Sequence, residues 1–248
     1  MADLLSMSAD IIDGRVAPEA LGPLNRINHQ LSELATDLAV VEAFSHCIVF
    51  KTDEGLVTFD TSNEHGGKKC VSAIQSWTHD PFHTVVFTHG HIDHAGGATE
   101  LAEILQLRIE GPHIKDKFLL DDLEKQGAMF GMSARNCIPD KWLNEGDKVS
   151  VGEISLEIYF CPGHTPGHII FYDALSKFAL VGDVLFRGSI GRTDLPGGNH
   201  QDLLDSIVSK LWPLGNDVEF IPGHGPVSNF GQERMNNAFV ADSILNKN

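Results

Sequence analysis

Positive charge is scarce in this chain: 18 Lys and Arg stand against 34 Asp and Glu, a formal net charge of −16 over 248 residues. Such a surface repels a phosphate backbone, and no basic stripe offsets it, so nucleic acid is not expected as a partner. Cysteine is also sparse. The four present, Cys47, Cys70, Cys137 and Cys161, show no CxxC spacing and read as reduced thiols rather than a disulfide framework or a zinc knuckle. No window approaches the roughly 18 apolar residues of a membrane span. The opening "MADLLSMSADIIDGRV" lacks the basic start and apolar block of a signal peptide. The expectation is therefore a cytoplasmic protein without a membrane partner. What remains is ordinary for a globular chain, 42% hydrophobic and 21% charged, and long enough to bury a good core.

Residues 1–30 show weak periodicity and read as an irregular arm, leaving 31–248 as one domain. Apolar, β-branched runs broken by "TDEG" predict a hairpin with strands near 38–51 and 55–60. Val71, Ile74 and Trp77 recur at helical spacing within 66–78. A short buried strand is expected at 83–89, a helix at 96–108 and a polar helical stretch at 115–128. A second hairpin spans 147–161, and two more strands with a turn at "ALSK" occupy 168–186. An amphipathic helix at 200–212, a strand at 217–225 and a closing helix near 231–245 complete the chain. Strands, helix, strand and helix appear twice in this order, which predicts two similar halves joined in one α/β unit.

The densest chemistry lies in "THGHIDHAGG", residues 88–97, where His89, His91, Asp93 and His94 fall within six positions. A strand would turn His94 away from the other three, and a helix would strand His89. A loop at the carboxyl end of "TVVF" can gather all four, with Gly90, Gly96 and Gly97 supplying backbone freedom. Imidazole with carboxylate suits zinc and other borderline divalent metals. Four donors this close crowd one ion but can serve two neighbours. Three further sites share one build, a lone donor beside glycine or proline just after an apolar β run: His164 in "CPGHTPGH", Asp183 in "LVGDVLF" and His224 in "FIPGHGP".

This set resembles the metallo-β-lactamase fold superfamily. "GDVLFRGSIGRTDLPGG" (182–198) and "FIPGHGPVSNFGQER" (220–234) are similar to its glyoxalase II-like, hydroxyacylglutathione hydrolase-like branch, and the likeness spans roughly 38–240. The resemblance implies a four-layer αββα sandwich with the metal site at one edge of two facing mixed sheets. It implies that His89, His91 and His164 hold a first metal, that Asp93, His94 and His224 hold a second, and that Asp183 bridges them. The implied cofactors are two divalent ions, zinc first, with iron and manganese also suited to these donors. A pair of ions about 3.5–4 Å apart lowers the pKa of a shared water and presents it as a nucleophile. The expected reaction is hydrolysis of a small thioester or ester, with Asp93 as the residue that orients the nucleophile or returns a proton.

Arg187 and Arg192 lie just past Asp183, where either is placed to hold an anionic substrate group or, equally, to pin its loop to Asp194. His168 is expected to hydrogen-bond behind the ligands or simply to pack, and Asp60 to steady a ligand or shape its loop. His29, His46, His65, His79, His83, His113 and His200 are assigned no role. Full-length glyoxalase II enzymes grip glutathione with a helical C-terminal extension; 24 residues follow His224 here, so a short, single-domain member is expected. The arm at 1–30 either covers the active-site edge or supports a homo-oligomer. Two other readings stand beside the hydrolase: a mononuclear iron enzyme like the persulfide dioxygenases, and a binding protein with purely structural metals. Lactamase, lactonase and sulfatase chemistry within the superfamily stays open, with nuclease activity disfavoured by the acidic surface.

Overall fold

Val40, Ile48 and Phe50 alternate along the chain with Val41, Cys47 and Val49, yet both sets are buried. Strands buried on both faces need apolar residues on both, which is why these stretches read as unbroken hydrophobic runs. In the computed structural model, which describes residues 28–245, they belong to a six-stranded sheet. Its strands are β1 (Leu31–Ala35), β2 (Leu38–Glu42), β3 (His46–Thr52), β4 (Gly55–Phe59), β5 (Phe82–Val86) and β6 (Arg108–Glu110), in that spatial order. The first four are antiparallel, whereas β4, β5 and β6 run parallel. Residues 1–27 of the expected arm lie outside the described residues.

The second half supplies β7 (Lys148–Val151), β8 (Ile154–Phe160), β9 (Ile169–Asp173), β10 (Phe178–Gly182), β11 (Leu185–Phe186), β12 (Ser189–Ile190), β13 (Glu219–Pro222) and β14 (Ser228–Asn229). Six of these form a mixed sheet ordered β14-β13-β10-β9-β8-β7, with β10 and β13 parallel, while β11 and β12 make a separate small hairpin. The two sheets meet face to face through Ile48, Phe50, Val57 and Phe59 on one side and Ile158, Ile169, Phe171 and Leu180 on the other. Phe59 and Phe171 lie edge to face, 4.9 Å between centroids, an arrangement that adds attraction beyond the area buried.

Helices cover the outer faces. Helix α1 (Glu64–Trp77) places Cys70 and Ile74 on Val41, Cys47 and Val49. The Asn63 side chain accepts the Gly66 N–H at 2.8 Å and starts this helix. Further along come α2 (Ile92–Ala95), α3 (Ala98–Leu105), α4 (Lys117–Leu120), α5 (Leu123–Phe130), α6 (His200–Ser206), α7 (Phe230–Asn236) and α8 (Asp242–Leu245). On the far side, Leu203, Ile207, Leu211 and Phe230 pack on Ile170, Val181 and Phe220. The result is an αββα sandwich of two mixed sheets. All four cysteines are buried free thiols; burial pushes the Cys161 thiol well up, so it packs rather than reacts.

Several boundaries differ from the pattern-based expectation. The strand expected at 38–51 is cut at Ala43–Ser45, because Ser45 turns its hydroxyl to the Asp93 carbonyl (2.5 Å) and the Phe44 N–H to Ser62 Oγ (3.2 Å). The helix expected at 115–128 is interrupted between α4 and α5, and the one at 200–212 passes from α6 into a π turn at Ile207–Leu211. The closing helix expected at 231–245 is likewise split into α7 and α8. Strands β1 and β6 had no clear signal; each is short and lies at an edge of its sheet.

Candidate metal centre

Strands β4 and β5 end at one edge of the first sheet; β8, β10 and β13, which share one direction, end at the matching edge of the second. Each hands a polar residue to that edge. Asp60 follows β4, His89 follows β5, His164 follows β8, Asp183 follows β10 and His224 follows β13. The turn into Asp183 depends on Gly182, whose φ is +47° and where a Cβ would lie 2.8 Å from the His168 ring.

A loop holds His89 to His91, but the expectation of a loop through His94 needs correction. His91 has extended backbone at the N-terminal boundary of α2, and Asp93 and His94 sit on that single helical turn. Switching from strand end to helix start between 91 and 92 lets all four side chains reach one region, which neither regular element does alone.

The seven donors form two groups. His89, His91 and His164 offer one nitrogen each, and Asp93, His94, Asp183 and His224 one atom each, every set lying within 4.8 Å. His91 Nδ1 is 3.0 Å from His164 Nε2. Asp183 reaches both groups: Oδ1 is 3.3 Å from His94 Nε2, and Oδ2 is 3.4 Å from His224 Nε2 and 3.5 Å from His164 Nε2. His89 Nε2, His91 Nε2, His94 Nε2 and Asp183 Oδ1 are buried with no hydrogen-bond partner. Buried polar atoms are almost always partnered, so the unmet atoms of His89, His94 and Asp183, beside the close pair of His91 Nδ1 and His164 Nε2, mark the place of a cation. Neutral imidazole and carboxylate donors fit a borderline divalent metal.

The opposite ring nitrogens are anchored, which aims Nε2 inward. His94 Nδ1 donates to Asp60 Oδ2 (2.7 Å), and His164 Nδ1 to the Arg192 carbonyl (2.7 Å). Asp60 also accepts the Thr88 N–H (2.9 Å) and hydroxyl (2.8 Å), and its φ of +56° is a conformation aspartate tolerates better than most residues. Asp60 therefore steadies a ligand. His168 lies outside both groups: its Nε2 accepts the Asp183 N–H at 3.0 Å, and its ring stacks on His89 at 4.7 Å. His46, given no role from sequence, donates from Nδ1 to the Pro222 carbonyl (2.8 Å) and from its N–H to the Gly223 carbonyl (2.8 Å), tying down the loop that carries His224.

Charge divides the two groups. Burial, with the neighbouring histidines, holds His89 well below the usual imidazole range, and burial with His164 beside it brings His91 down to about 3. His164 is lowered by burial too. Burial opposes the charged form of His224 as well, but the carboxylates of Asp183 and Asp93 overcome it and raise it to about 9. The same contest, won by Asp183, Asp60 and Asp93, lifts His94 well above its ordinary value. Before metal arrives the first group thus offers free lone pairs while the second holds protons. A ligand must shed its proton to bind. One equivalent of zinc is therefore expected to bind tightly at pH 6, and the second to tighten steadily as pH rises towards 9; a metal titration across pH 6–9 checks this, and two equivalents with the same flat pH profile would contradict it.

The two arginines are placed differently. Arg192 makes a two-pronged pair with Asp194 (2.7 Å for each bond), so its side chain pins the loop while its carbonyl orients His164. Arg187 lines a cavity of about 200 Å³ with Gly188, Ser228, Gln232, Glu233 and Asn236.

The profile of the metallo-beta-lactamase superfamily matches residues 40–224. The chain belongs to that superfamily. Among relatives of this superfamily member, hydroxyacylglutathione hydrolase GloC of Haemophilus influenzae is 44% identical over 158 residues, covering 63% of this chain and 74% of the relative. The probable metallo-hydrolase YqgX of Bacillus subtilis is 34% identical over 191 residues, 76% of this chain and 89% of the relative. Among solved structures, TTHA1623 in a di-iron-bound form superposes with a TM-score of 0.70 at 32% identity, covering 79% of this chain and 94% of that one. Membership, with a hydrolase among the relatives, supports a metallo-hydrolase and accords with the donor groups described above.

Proposed function

We propose that this metallo-hydrolase cleaves a small thioester or ester, using two divalent ions, zinc by preference, held by the seven donors. The observation that carries the proposal is the position of Asp183, within 3.5 Å of histidines from both groups. A mononuclear iron dioxygenase has no need of Asp93, His94 and His224 as a second site. A purely structural role is disfavoured by the second group's partial exposure, since Asp93 and His224 retain about a fifth of their side-chain accessibility. The hydroxyacylglutathione hydrolase among the relatives supports the thioester class.

In this reading His89, His91 and His164 hold one ion, Asp93, His94 and His224 the other, and Asp183 serves both. When bound, the ions supply Lewis acidity, bringing the pKa of water towards neutrality and polarising the carbonyl. Asp60 keeps His94 in the tautomer that points Nε2 inward, and the Arg192 carbonyl does the same for His164. The oxygen of water bonds to the carbonyl carbon, the carbon–sulfur bond breaks, and the water's proton must reach the departing sulfur. Asp93, hydrogen-bonded to His224 at 3.1 Å, is placed to carry it.

A panel of small thioesters, esters and lactones, run beside elemental analysis, tests this. Turnover of a thioester by protein carrying two metals is expected. No turnover by the fully loaded protein, or one iron per chain with oxygen uptake on glutathione persulfide, would overturn it.

A further inference from the structure

The three-histidine group is assembled from two loops that belong to different sheets. His89 and His91 follow β5, and His164 follows β8. Asp116, which ends a short 3-10 turn (Ile114–Asp116) ahead of α4, lies between these loops and is fully buried. Its Oδ2 accepts the Gly90 N–H at 2.9 Å and the Thr165 hydroxyl at 2.7 Å, and its Oδ1 accepts the Gly167 N–H at 2.5 Å. Gly90 separates His89 from His91, and Thr165 directly follows His164. A single carboxylate is thus bonded within one residue of all three histidines.

The surroundings are cut to admit it. A Cβ at Gly167 would lie 2.6 Å from Asp116 Cγ, and one at Gly90 would lie 3.3 Å from Asp116 Cβ and 2.9 Å from Leu119 Cβ. A carboxylate hidden from water is costly unless it is hydrogen-bonded or paired. Burial pushes Asp116 up to about 6 even against the pull of its three donors. A neutral residue of similar shape would avoid that cost, but it could not accept from three donors on two separate loops.

We propose that Asp116 is a positioning residue that fixes His164 relative to His89 and His91, and so sets the affinity of the three-histidine group for its ion. The proposal rests on the dinuclear reading above. It predicts a selective effect. The hydrogen bonds of the Asp116 carboxylate go to Gly90, Thr165 and Gly167, whereas the second group of Asp93, His94, Asp183 and His224 is held through Asp60, Ser45 and His46.

The test is a zinc titration of the metal-free full-length protein against a competing chelator at pH 8, comparing wild type, Asp116→Asn, Thr165→Val and, as a reference for loss of the three-histidine group, His164→Ala. An asparagine keeps the shape but turns its amide N–H₂ towards at least one of the three donors. Asp116→Asn is expected to weaken one of the two equivalents by about 10–100-fold, the same equivalent that His164→Ala removes, and to leave the other within about threefold of wild type. Thr165→Val should shift that equivalent in the same direction by less. Wild-type affinity for both equivalents in both variants, or equal weakening of both equivalents, would overturn the proposal. Should Asp116→Asn not fold, Thr165→Val decides by the same two results. The titration reads metal rather than turnover. A protein that shows the selective loss but hydrolyses no thioester overturns the proposed chemistry and leaves the role of Asp116 standing.

Discussion

Asp183→Asn is expected to reduce thioester turnover by about 10³-fold or more while leaving the chain folded. Asp183 lies within 3.5 Å of histidines from both groups, and its Oδ1 is buried without a hydrogen-bond partner. Asparagine nearly matches its volume, and the backbone N–H to His168 is unaffected. What is lost is charge and one of the two ligand oxygens. An NH₂ group would face cations where a carboxylate oxygen stood. A tenfold rate change corresponds to about 1.4 kcal/mol, so a 10³-fold loss is about 4 kcal/mol, within the range for removing a charge-stabilising element from a water-excluded site. Measuring kcat/KM together with bound metal separates the causes: the metal content should drop below two per chain along with the rate. A variant that keeps two ions and near wild-type turnover would show that Asp183 does not serve both.

Stripping the metal should be nearly as consequential for stability as Asp183→Asn is for rate. Without ions the edge holds His89, His91 and His164 as buried neutral rings, with Nε2 of His89 and His91 unmet, while the carboxylates of the second group are balanced by protons on His94 and His224. A ligand present at 1,000 times its Kd stabilises the folded state by about 4 kcal/mol per site. For a chain of this size each kcal/mol moves Tm by about 2–4 °C. Loading even one site from the metal-free state should therefore raise Tm by about 8–16 °C, which differential scanning calorimetry reads directly. A change under about 2 °C would mean that the donors are not bound as described.

The pH behaviour of the metal-free protein follows from the same groups. His224, raised to about 9 when folded against an ordinary value of 6.5, contributes stability that is fully present below pH 6.5 and fades as pH climbs through 9. Metal binding reverses this trend, because it requires the proton to leave.

How much of this was legible in the chain differs from residue to residue. The donors stand out because each follows an apolar β run and is flanked by glycine or proline, so strand, turn and ligand appear together in "TVVFTHGH", "LVGDV" and "FIPGHG". Both sheets were legible for the same reason: strands buried on both faces leave continuous apolar runs. That same continuity hid the break at Ala43–Ser45, where only Glu42, Ser45 and His46 interrupt the run and the turn is stabilised by partners near residues 62 and 93. Helix α2 was missed because a single turn has too few residues to show a period.

Asp116 carried no local signal at all. In "HIKDK" it looks like any solvated acid, and its burial arises only when β5 and β8 bring Gly90, Thr165 and Gly167 around it. His46 was passed over for a related reason, since its partner carbonyl on Pro222 lies 176 residues away. Arg192 shows a mixed case: of the two readings of its side chain, a hold on a substrate group or a pin on Asp194, the pairing with Asp194 is present, and the backbone carbonyl, which no pattern reports, makes the contact to His164.

The central claim, two ions cradled by seven side chains and driving hydrolysis, is tested most directly by counting metal and turnover on the same sample. Elemental analysis of protein saturated with zinc, coupled to a thioester assay before chelation, after chelation and after reloading, should give two ions per chain and activity that vanishes and returns with them. One ion or none at full activity, or turnover indifferent to the chelator, would contradict it.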